Sequence, residues 1–226
     1  MDDEIKKHVL KTGTLTVGIV CSDGIVFAAD NRQTYASGGG VAYIAGRDAE
    51  KVQEINERVL VTTAGGASDS RRVIKLVQAE VRLKELKTKT KMSVKQIASL
   101  MSNMLFQNIR QPSMIPSIAH FLITGYDEDG VSLYDATPDG YLQKIEDYQS
   151  TGAPFESLGI FDVEYRKDIT LKEGIVLAKK VFQATKGRQP GVGDGFDIYT
   201  VTEGEIKKAS SQKVSDTMED KEDKKE

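Results

Sequence analysis

The sequence predicts an α+β fold of four layers, in which two β-sheets lie face to face and a pair of helices covers each outer face. Three observations carry this expectation. Short β-type apolar runs recur, longer stretches show helical 3–4 spacing, and the two alternate as strands, two helices, strands, two helices and a strand along 226 residues. A chain of that length buries a full core in one domain, and the order leaves each sheet its own helix pair as a cover.

Residues 14–32 hold two apolar runs broken at Ser22-Asp23-Gly24, the pattern of two strands joined by a tight turn. Ser37-Gly38-Gly39-Gly40 marks a loop, and residues 41–45 read as a short strand. Residues 59–64 read as a buried strand, after which Gly65-Gly66 lets the backbone turn and approach a neighbour closely. Ser68 or Asp69 caps a helix to about residue 87, with Val73, Leu76, Val77, Val81 and Leu83 as its apolar face. Ser93 caps a second helix to about residue 109. Residues 118–126 and 131–135 are strands joined by Asp127-Glu128-Asp129-Gly130. A third helix covers residues 155–165. The fourth opens with the capping box Thr170-Leu171-Lys172-Glu173 and runs to about residue 186. Residues 196–201 form a closing strand. The chain then divides into a short leader (1–13), a folded domain (14–208) and a polar tail (209–226). The tail reads as a solvated, disordered end, with a docking segment as the other reading.

Composition narrows the function. The net charge of −3 comes with no basic block, which argues against a nucleic-acid surface. Aromatic residues are 7% with no tryptophan, so the core rests on Val, Ile and Leu. The single cysteine, Cys21, excludes an internal disulfide and fits a reducing, cytoplasmic compartment; within an apolar strand its role is packing. No run approaches the ~18 apolar residues of a membrane span, and residues 1–12 are too polar for a signal peptide. His8 and His120 are the only histidines, which rules against a Ser-His or multi-histidine zinc mechanism and leaves no cofactor or metal expected. Gly191-Val192-Gly193-Asp194-Gly195 looks superficially like a phosphate loop, but it lacks a Gly-Lys-Ser/Thr ending and precedes a strand.

One junction carries chemistry. Gly13-Thr14 opens directly into a β run. A threonine hydroxyl is a poor nucleophile unless a base sits within hydrogen-bond reach. Cleavage between Gly13 and Thr14 would place an α-amine on Thr14 itself, and such an amine titrates near ~7.7–8.0 where a lysine needs ~10.4. Taken alone, Gly-Thr reads as an ordinary threonine-rich strand start with no chemistry.

The segments Thr14-Leu15-Thr16-Val17-Gly18-Ile19-Val20, Asp23-Gly24-Ile25-Val26-Phe27-Ala28-Ala29-Asp30-Asn31-Arg32, Glu50-Lys51-Val52-Gln53-Glu54-Ile55 and Thr62-Thr63-Ala64-Gly65-Gly66 follow in that order. With the helix opening Ser93-Val94-Lys95-Gln96-Ile97 and the later Gly193-Asp194-Gly195-Phe196-Asp197, they resemble the archaeal-like β-type subunits of the 20S proteasome. The resemblance spans about residues 13–205 and implies an N-terminal-nucleophile threonine hydrolase of αββα architecture, in agreement with the element order.

What the resemblance implies for the site is specific. Thr14 would be the nucleophile, exposed by cleavage at Gly13–Thr14, with Lys51 lowering its pKa and Asp30 orienting that lysine. The Gly65 N–H would serve as oxyanion donor, and Thr34 and Gly65 would pair an extended peptide as an added strand. Ala49, Thr63, Ala67 and Arg71 would surround the substrate residue before the scissile bond. The resemblance also implies stacked seven-fold rings of β-type and α-type subunits, a regulatory ATPase acting indirectly, and unfolded polypeptide as substrate, with no nucleic acid or membrane involved.

The sequence departs from the family in two places. The 35–45 region is longer, which sets Lys51 further from Thr14. The family's Thr-Gly-Ser-Gly-Ser-Pro stands here as Thr151-Gly152-Ala153-Pro154, and its Arg-Asp-Ser-Ala-Ser-Gly-Asp-Gly as Arg188-Gln189-Pro190-Gly191-Val192-Gly193-Asp194-Gly195. Ala153, Gln189 and Val192 thus replace two serines and an aspartate that would support the threonine amine. Two readings follow: an active threonine endopeptidase, favoured by Thr14, Asp30 and Lys51, or a catalytically weak or silent ring subunit.

Overall fold

The computed structural model describes residues 13–36, 42–113 and 117–213. The leader up to residue 12, the 37–40 loop with Val41, and the tail from residue 214 lie outside the described residues.

Strands β1 (Thr16–Cys21) and β2 (Gly24–Asp30) form the expected tight hairpin, with Thr16 opposite Ala29 and Cys21 opposite Gly24. The period-2 alternation sorts their side chains. Leu15, Val17, Ile19, Val26 and Ala28 face one apolar cluster, while Ile25, Phe27 and Ala29 face another. Strands β3 (Gln33–Ala36) and β4 (Ala42–Gly46) make a separate two-stranded ribbon. Strands β5 (Val52–Asn56) and β6 (Val59–Gly65) open the second sheet, and helices α1 (Ala67–Thr88) and α2 (Val94–Ile109) follow. Strands β7 (Ala119–Asp127), β8 (Gly130–Ala136) and β9 (Leu142–Ile145) complete that sheet in the order β5-β6-β7-β8-β9. Strand β10 (Tyr148–Thr151) crosses back to pair with β1. Helices α3 (Pro154–Glu164) and α4 (Leu171–Lys186) come next, then β11 (Gly195–Thr202) and β12 (Glu205–Lys213). The first sheet is therefore β10-β1-β2-β11-β12.

Three apolar clusters define the four layers. One, with Val73, Val77, Ile97, Met101 and Phe121, joins α1 and α2 to the second sheet. A second, with Val17, Phe161, Val181 and Phe182, joins α3 and α4 to the first sheet. The third, with Phe27, Leu60, Leu122 and Leu133, fills the space between the sheets. Burying each such large side chain contributes about 1.5–3 kcal/mol relative to exposure. Gly18 belongs to this inner contact, because a Cβ there would stand 2.7 Å from Leu133 Cδ2.

Several sequence expectations need correction. Helix α1 starts two or three residues earlier than a Ser68 or Asp69 cap requires: Gly66 is the N-cap, with no side-chain cap bond, and Asp69 falls in the first turn. Its buried face is Ser70, Val73, Ile74, Val77 and Val81, whereas Leu76 and Leu83 are each 45% exposed. Those two leucines sit about 100° and more off the buried stripe, on the outer side of the helix. The strand ending near residue 201 is followed by a partner, β12, which runs to Lys213 and past the expected start of the tail at residue 209. Strands β3, β5, β9 and β10 were also not anticipated. The cap at Ser93 and the capping box at Thr170 form as expected, and Gln96 completes a box at Ser93 that was not anticipated.

One contact governs how closely α4 lies on its sheet. Gly174, buried in the first turns of the helix, faces Cys21 and Val26, and a Cβ there would stand 2.8 Å from Cys21 Sγ. Burial, aided by the charge of Asp23, pushes the Cys21 thiol up to about 12, so it stays neutral and acts as packing.

Candidate active site

The β1–β2 register sets the first contacts. Asp30 ends β2 beside Leu15, so its backbone N–H donates to the Leu15 carbonyl at 3.0 Å and Leu15 N–H donates to Asp30 Oδ1 at 2.9 Å. This anchors Asp30 one residue from Thr14. Lys51 enters from the segment just before β5, and its Nζ lies 2.6 Å from Asp30 Oδ1 and 3.1 Å from Thr14 Oγ1. One ammonium thus bridges the carboxylate and the hydroxyl. Asp30 Oδ2 also accepts from the N–H groups of Arg32, at 3.1 Å, and Gly193, at 3.3 Å.

The three groups are shielded from water. The Asp30 side chain is fully buried, that of Lys51 is 10% exposed, and Thr14 is 5% exposed. Burial pushes the Asp30 carboxyl above its ordinary range, opposed by the charge of Lys51 and by its hydrogen bonds. Burial likewise lowers the Lys51 ammonium, opposed by Asp30 and reinforced by the charge of Arg32. A desolvated ammonium touching Thr14 Oγ1 stabilises negative charge developing on that oxygen far better than a hydrated one.

Two backbone approaches fix Thr14 in place. Gly152 adopts φ +87°, and a Cβ there would stand 2.1 Å from the Thr14 carbonyl oxygen. Gly13 packs backbone to backbone on Gly191, where a Cβ on either residue would come within 2.3 Å of the other's Cα. The run that resembled a phosphate loop is a structural brace. Gly191 admits Gly13, and Gly193 leaves room for the Arg32 guanidinium, which a Cβ would meet at 2.6 Å. Asp194, at φ +62°, takes that guanidinium through Nε at 2.6 Å and Nη2 at 3.2 Å. Arg47 adds a bond to Asp194 at 2.7 Å, and Arg32 also donates to the Pro190 carbonyl at 2.8 Å. Sequence reasoning missed this clamp. Its one signal was an arginine two residues after Asp30, since its partner lies across the fold.

A cleft of 1020 Å³ opens over Thr14. It is lined by Gly13, Thr14, Thr34, Ala49, Lys51, Thr63, Gly65, Ala67 and Arg71, so of the residues given a catalytic, substrate-binding or cleavage role from sequence all but the buried Asp30 border one space, while Ala153, Gln189 and Val192 do not. Gln33, Tyr35 and Asp69 also line it and were not anticipated. Gly65 has φ +112°, and a Cβ there would meet the Ile118 carbonyl oxygen at 2.4 Å, which makes glycine obligatory on this wall.

The three altered positions have their own local partners. Ala153 is 3% exposed and Val192 1% exposed, both within the apolar cluster beneath α3 and α4. Gln189 bonds through its backbone N–H to the Thr185 carbonyl at 2.8 Å and through Nε2 to Glu156 Oε1 at 2.5 Å.

Helix pairs over two antiparallel sheets, with a threonine where the first strand opens onto a cleft between them, define the fold of N-terminal-nucleophile hydrolases. The family model described as Proteasome subunit matches residues 10–201, and the chain belongs to that family. It is 34% identical over 206 residues to a Proteasome subunit beta of Methanosarcina mazei, covering 89% of this chain and 92% of the relative. A Proteasome subunit beta of Methanobrevibacter smithii is 35% identical over 220 residues, covering 96% and 98%. A Proteasome subunit beta 2 of Pyrococcus abyssi is 34% identical over 203 residues, covering 89% and 93%. Among the described residues no helix is long and apolar enough to cross a membrane.

Proposed function

We propose that the chain is a threonine-type endopeptidase subunit of a proteasome core particle, activated by its own cleavage at Gly13–Thr14. The observation that carries this reading is the Lys51 ammonium within bonding distance of both Asp30 and Thr14 Oγ1. After cleavage the Thr14 α-amine takes the hydroxyl proton while Oγ1 attacks the substrate carbonyl. Lys51 stabilises the charge on Oγ1, and the backbone at Gly65 faces the developing oxyanion. The tetrahedral intermediate collapses to an ester on Thr14 as the α-amine returns the proton to the leaving amine. Water then hydrolyses the ester by the same base and releases Thr14.

Extended polypeptide would pair along Thr34 and Gly65, with its side chain before the scissile bond among Ala49, Thr63, Ala67 and Arg71. Small linings with one arginine suit branched apolar or acidic side chains. A fluorogenic panel dominated by basic residues would refute that pocket. Such a subunit works in the cytoplasm within stacked seven-fold rings of β-type and α-type chains, fed with unfolded polypeptide by a regulatory ATPase.

The test is the intact mass of the chain assembled with α-type subunits. Residues 1–13 should be lost, and Thr14→Ala should keep them and abolish peptide hydrolysis. A Thr14→Ala chain that is still processed and active would refute the nucleophile. The second reading, a silent structural ring subunit, is favoured by Ala153 and Val192, which present no hydroxyl to the Thr14 amine. A native chain that assembles with its leader attached and does not hydrolyse peptide would select it.

A further inference from the structure

Two segments converge on the Gly13–Thr14 bond. Gly152 lies against the Thr14 carbonyl on the α3 side, and Gly191 lies against Gly13 on the side of the turn before β11. That turn is closed by the Val192 N–H donating to the Gln189 carbonyl at 3.0 Å. The side-chain link between the two segments is Gln189 Nε2 donating to Glu156 Oε1 at 2.5 Å. The other oxygen of that carboxylate, Oε2, is buried and has no partner among the protein's groups. Its neighbour Phe155 is 91% exposed, so this first turn of α3 sends its aromatic ring to water and its carboxylate inward. A helix N-terminus accounts for an acid in the first turn but not for one turned away from solvent with an unsatisfied oxygen.

Cleavage supplies the missing counterpart. It creates an α-amine with several N–H donors at the junction these segments enclose. Of the side chains adjacent in sequence to the two contact glycines, Ala153, Pro190 and Val192 cannot accept a hydrogen bond, and the Thr151 hydroxyl is engaged with Thr16 Oγ1 at 2.7 Å. We propose that Glu156, clasped by Gln189, is the positioning residue for the Thr14 α-amine, supplying the negative charge that this amine meets from the α3 side. The inference rests on the reading of Thr14 as a nucleophile freed by cleavage. Of the other charged groups around Thr14, Asp30 and Lys51 are in mutual contact, Arg32 and Arg47 are both bonded to Asp194, and Asp48, Glu50, Asp69 and Arg71 line the cleft. Glu156 therefore adds a negative charge that none of these cations neutralises by contact.

The test is titration of the Thr14 amine in the processed chain within the assembled particle. Reductive methylation with formaldehyde and cyanoborohydride across a pH series is read as the mass of the N-terminal peptide. Glu156→Gln keeps a partner for Gln189 and removes only the charge. A nearby carboxylate favours the ammonium form, so its loss should lower the apparent pKa of the amine by about one unit. The pair Glu156→Gln with Gln189→Glu moves the charge across the same hydrogen bond and should restore the native titration. An unchanged titration in Glu156→Gln, or a swapped pair that titrates like the single variant, would overturn the proposal and leave Glu156 as a clasp only. A particle that retains residues 1–13 would instead overturn the underlying reading, so the two failures are told apart by the starting mass.

Discussion

Replacing Lys51 by methionine isolates the bridge at the centre of the site. The change keeps the length of the side chain and removes the ammonium 2.6 Å from Asp30 Oδ1. Asp30 stays fully buried with three backbone N–H donors, from Leu15, Arg32 and Gly193, and no cation in contact. The Arg32 guanidinium cannot substitute, because it is held by Asp194 and the Pro190 carbonyl. Removing one partner of a buried pair costs about 3–5 kcal/mol. For a chain of 226 residues that corresponds to a fall in Tm of about 6–20 °C. The pH dependence identifies the cause. Without Lys51 the Asp30 carboxyl, already raised by burial, moves higher still, so the folded variant binds a proton more tightly than the unfolded chain does. The stability deficit must therefore be largest at pH 8 and shrink as pH falls toward 5 and Asp30 becomes neutral. The assay is thermal unfolding of the purified native and Lys51→Met chains at both pH values, with peptide turnover of the assembled forms alongside. Turnover should be lost at both. An equal deficit at the two pH values would refute the account of Asp30 as a buried charge held by Lys51.

Gly152→Ala forces a side chain onto a φ of +87° and against the Thr14 carbonyl. Stability should fall by about 1–3 kcal/mol while turnover falls at least tenfold, because the displaced residue is the proposed nucleophile. Asp194→Asn keeps a residue that tolerates φ +62° and removes the carboxylate that Arg32, through its hydrogen bonds, holds below the usual range. Asp194 is buried but Arg32 and Arg47 line the open cleft, where solvent screens the pairs and keeps the contribution at about 1 kcal/mol. A depressed carboxyl stabilises above its unfolded value of ~3.9 and ceases to as pH falls through the folded one, so native and variant melting curves should differ at pH 7 and converge below about pH 4. The triple change Ala153→Ser, Gln189→Asp and Val192→Ser should lower Tm before it raises any rate. It buries hydroxyls at two sites under 4% exposed, at a cost of about 1–3 kcal/mol each, and breaks the bond to Glu156. A triple variant as stable as the native chain would show that those positions retain hydroxyl partners.

The fold was legible wherever burial writes itself into side chains. The runs of β1, β2 and β6 and the caps of α2 and α4 carry apolar alternation or cap residues that few other structures satisfy. Strands β9, β10 and β12 did not announce themselves, because Gln149, Lys144 or Lys207 gives no apolar signal and these strands are held at sheet edges by backbone pairing. Leu76 and Leu83 misled for the opposite reason: an apolar residue on an outer helix face looks the same in sequence as one in the core. At the site, Thr14, Asp30 and Lys51 could be named through the family resemblance, since Asp30 alone reads as a turn residue and Lys51 as a surface charge, and the cleft gathers the pocket residues around Thr14 and Lys51. The Arg32–Asp194 clamp and the Gln189–Glu156 bond could not, since each joins residues on separate elements and depends on how those elements are docked.

The close seat of Gly174 on Cys21 turns α4 into a lever. Its fulcrum is a contact in which not even one added carbon fits, and about 18 Å of rigid helix reaches from there to Lys186. Beyond Lys186 the chain passes directly into the turn that touches Gly13 and donates to Asp30. A wedge at the near end, such as Gly174→Ala or a bulkier residue at 21, tilts the rod and lifts that turn at the far end. Sensitivity to substitution should thus run along the helix axis rather than fall off with distance from Thr14, so a silent-looking thiol far along the helix sets the height at which Thr14 is held.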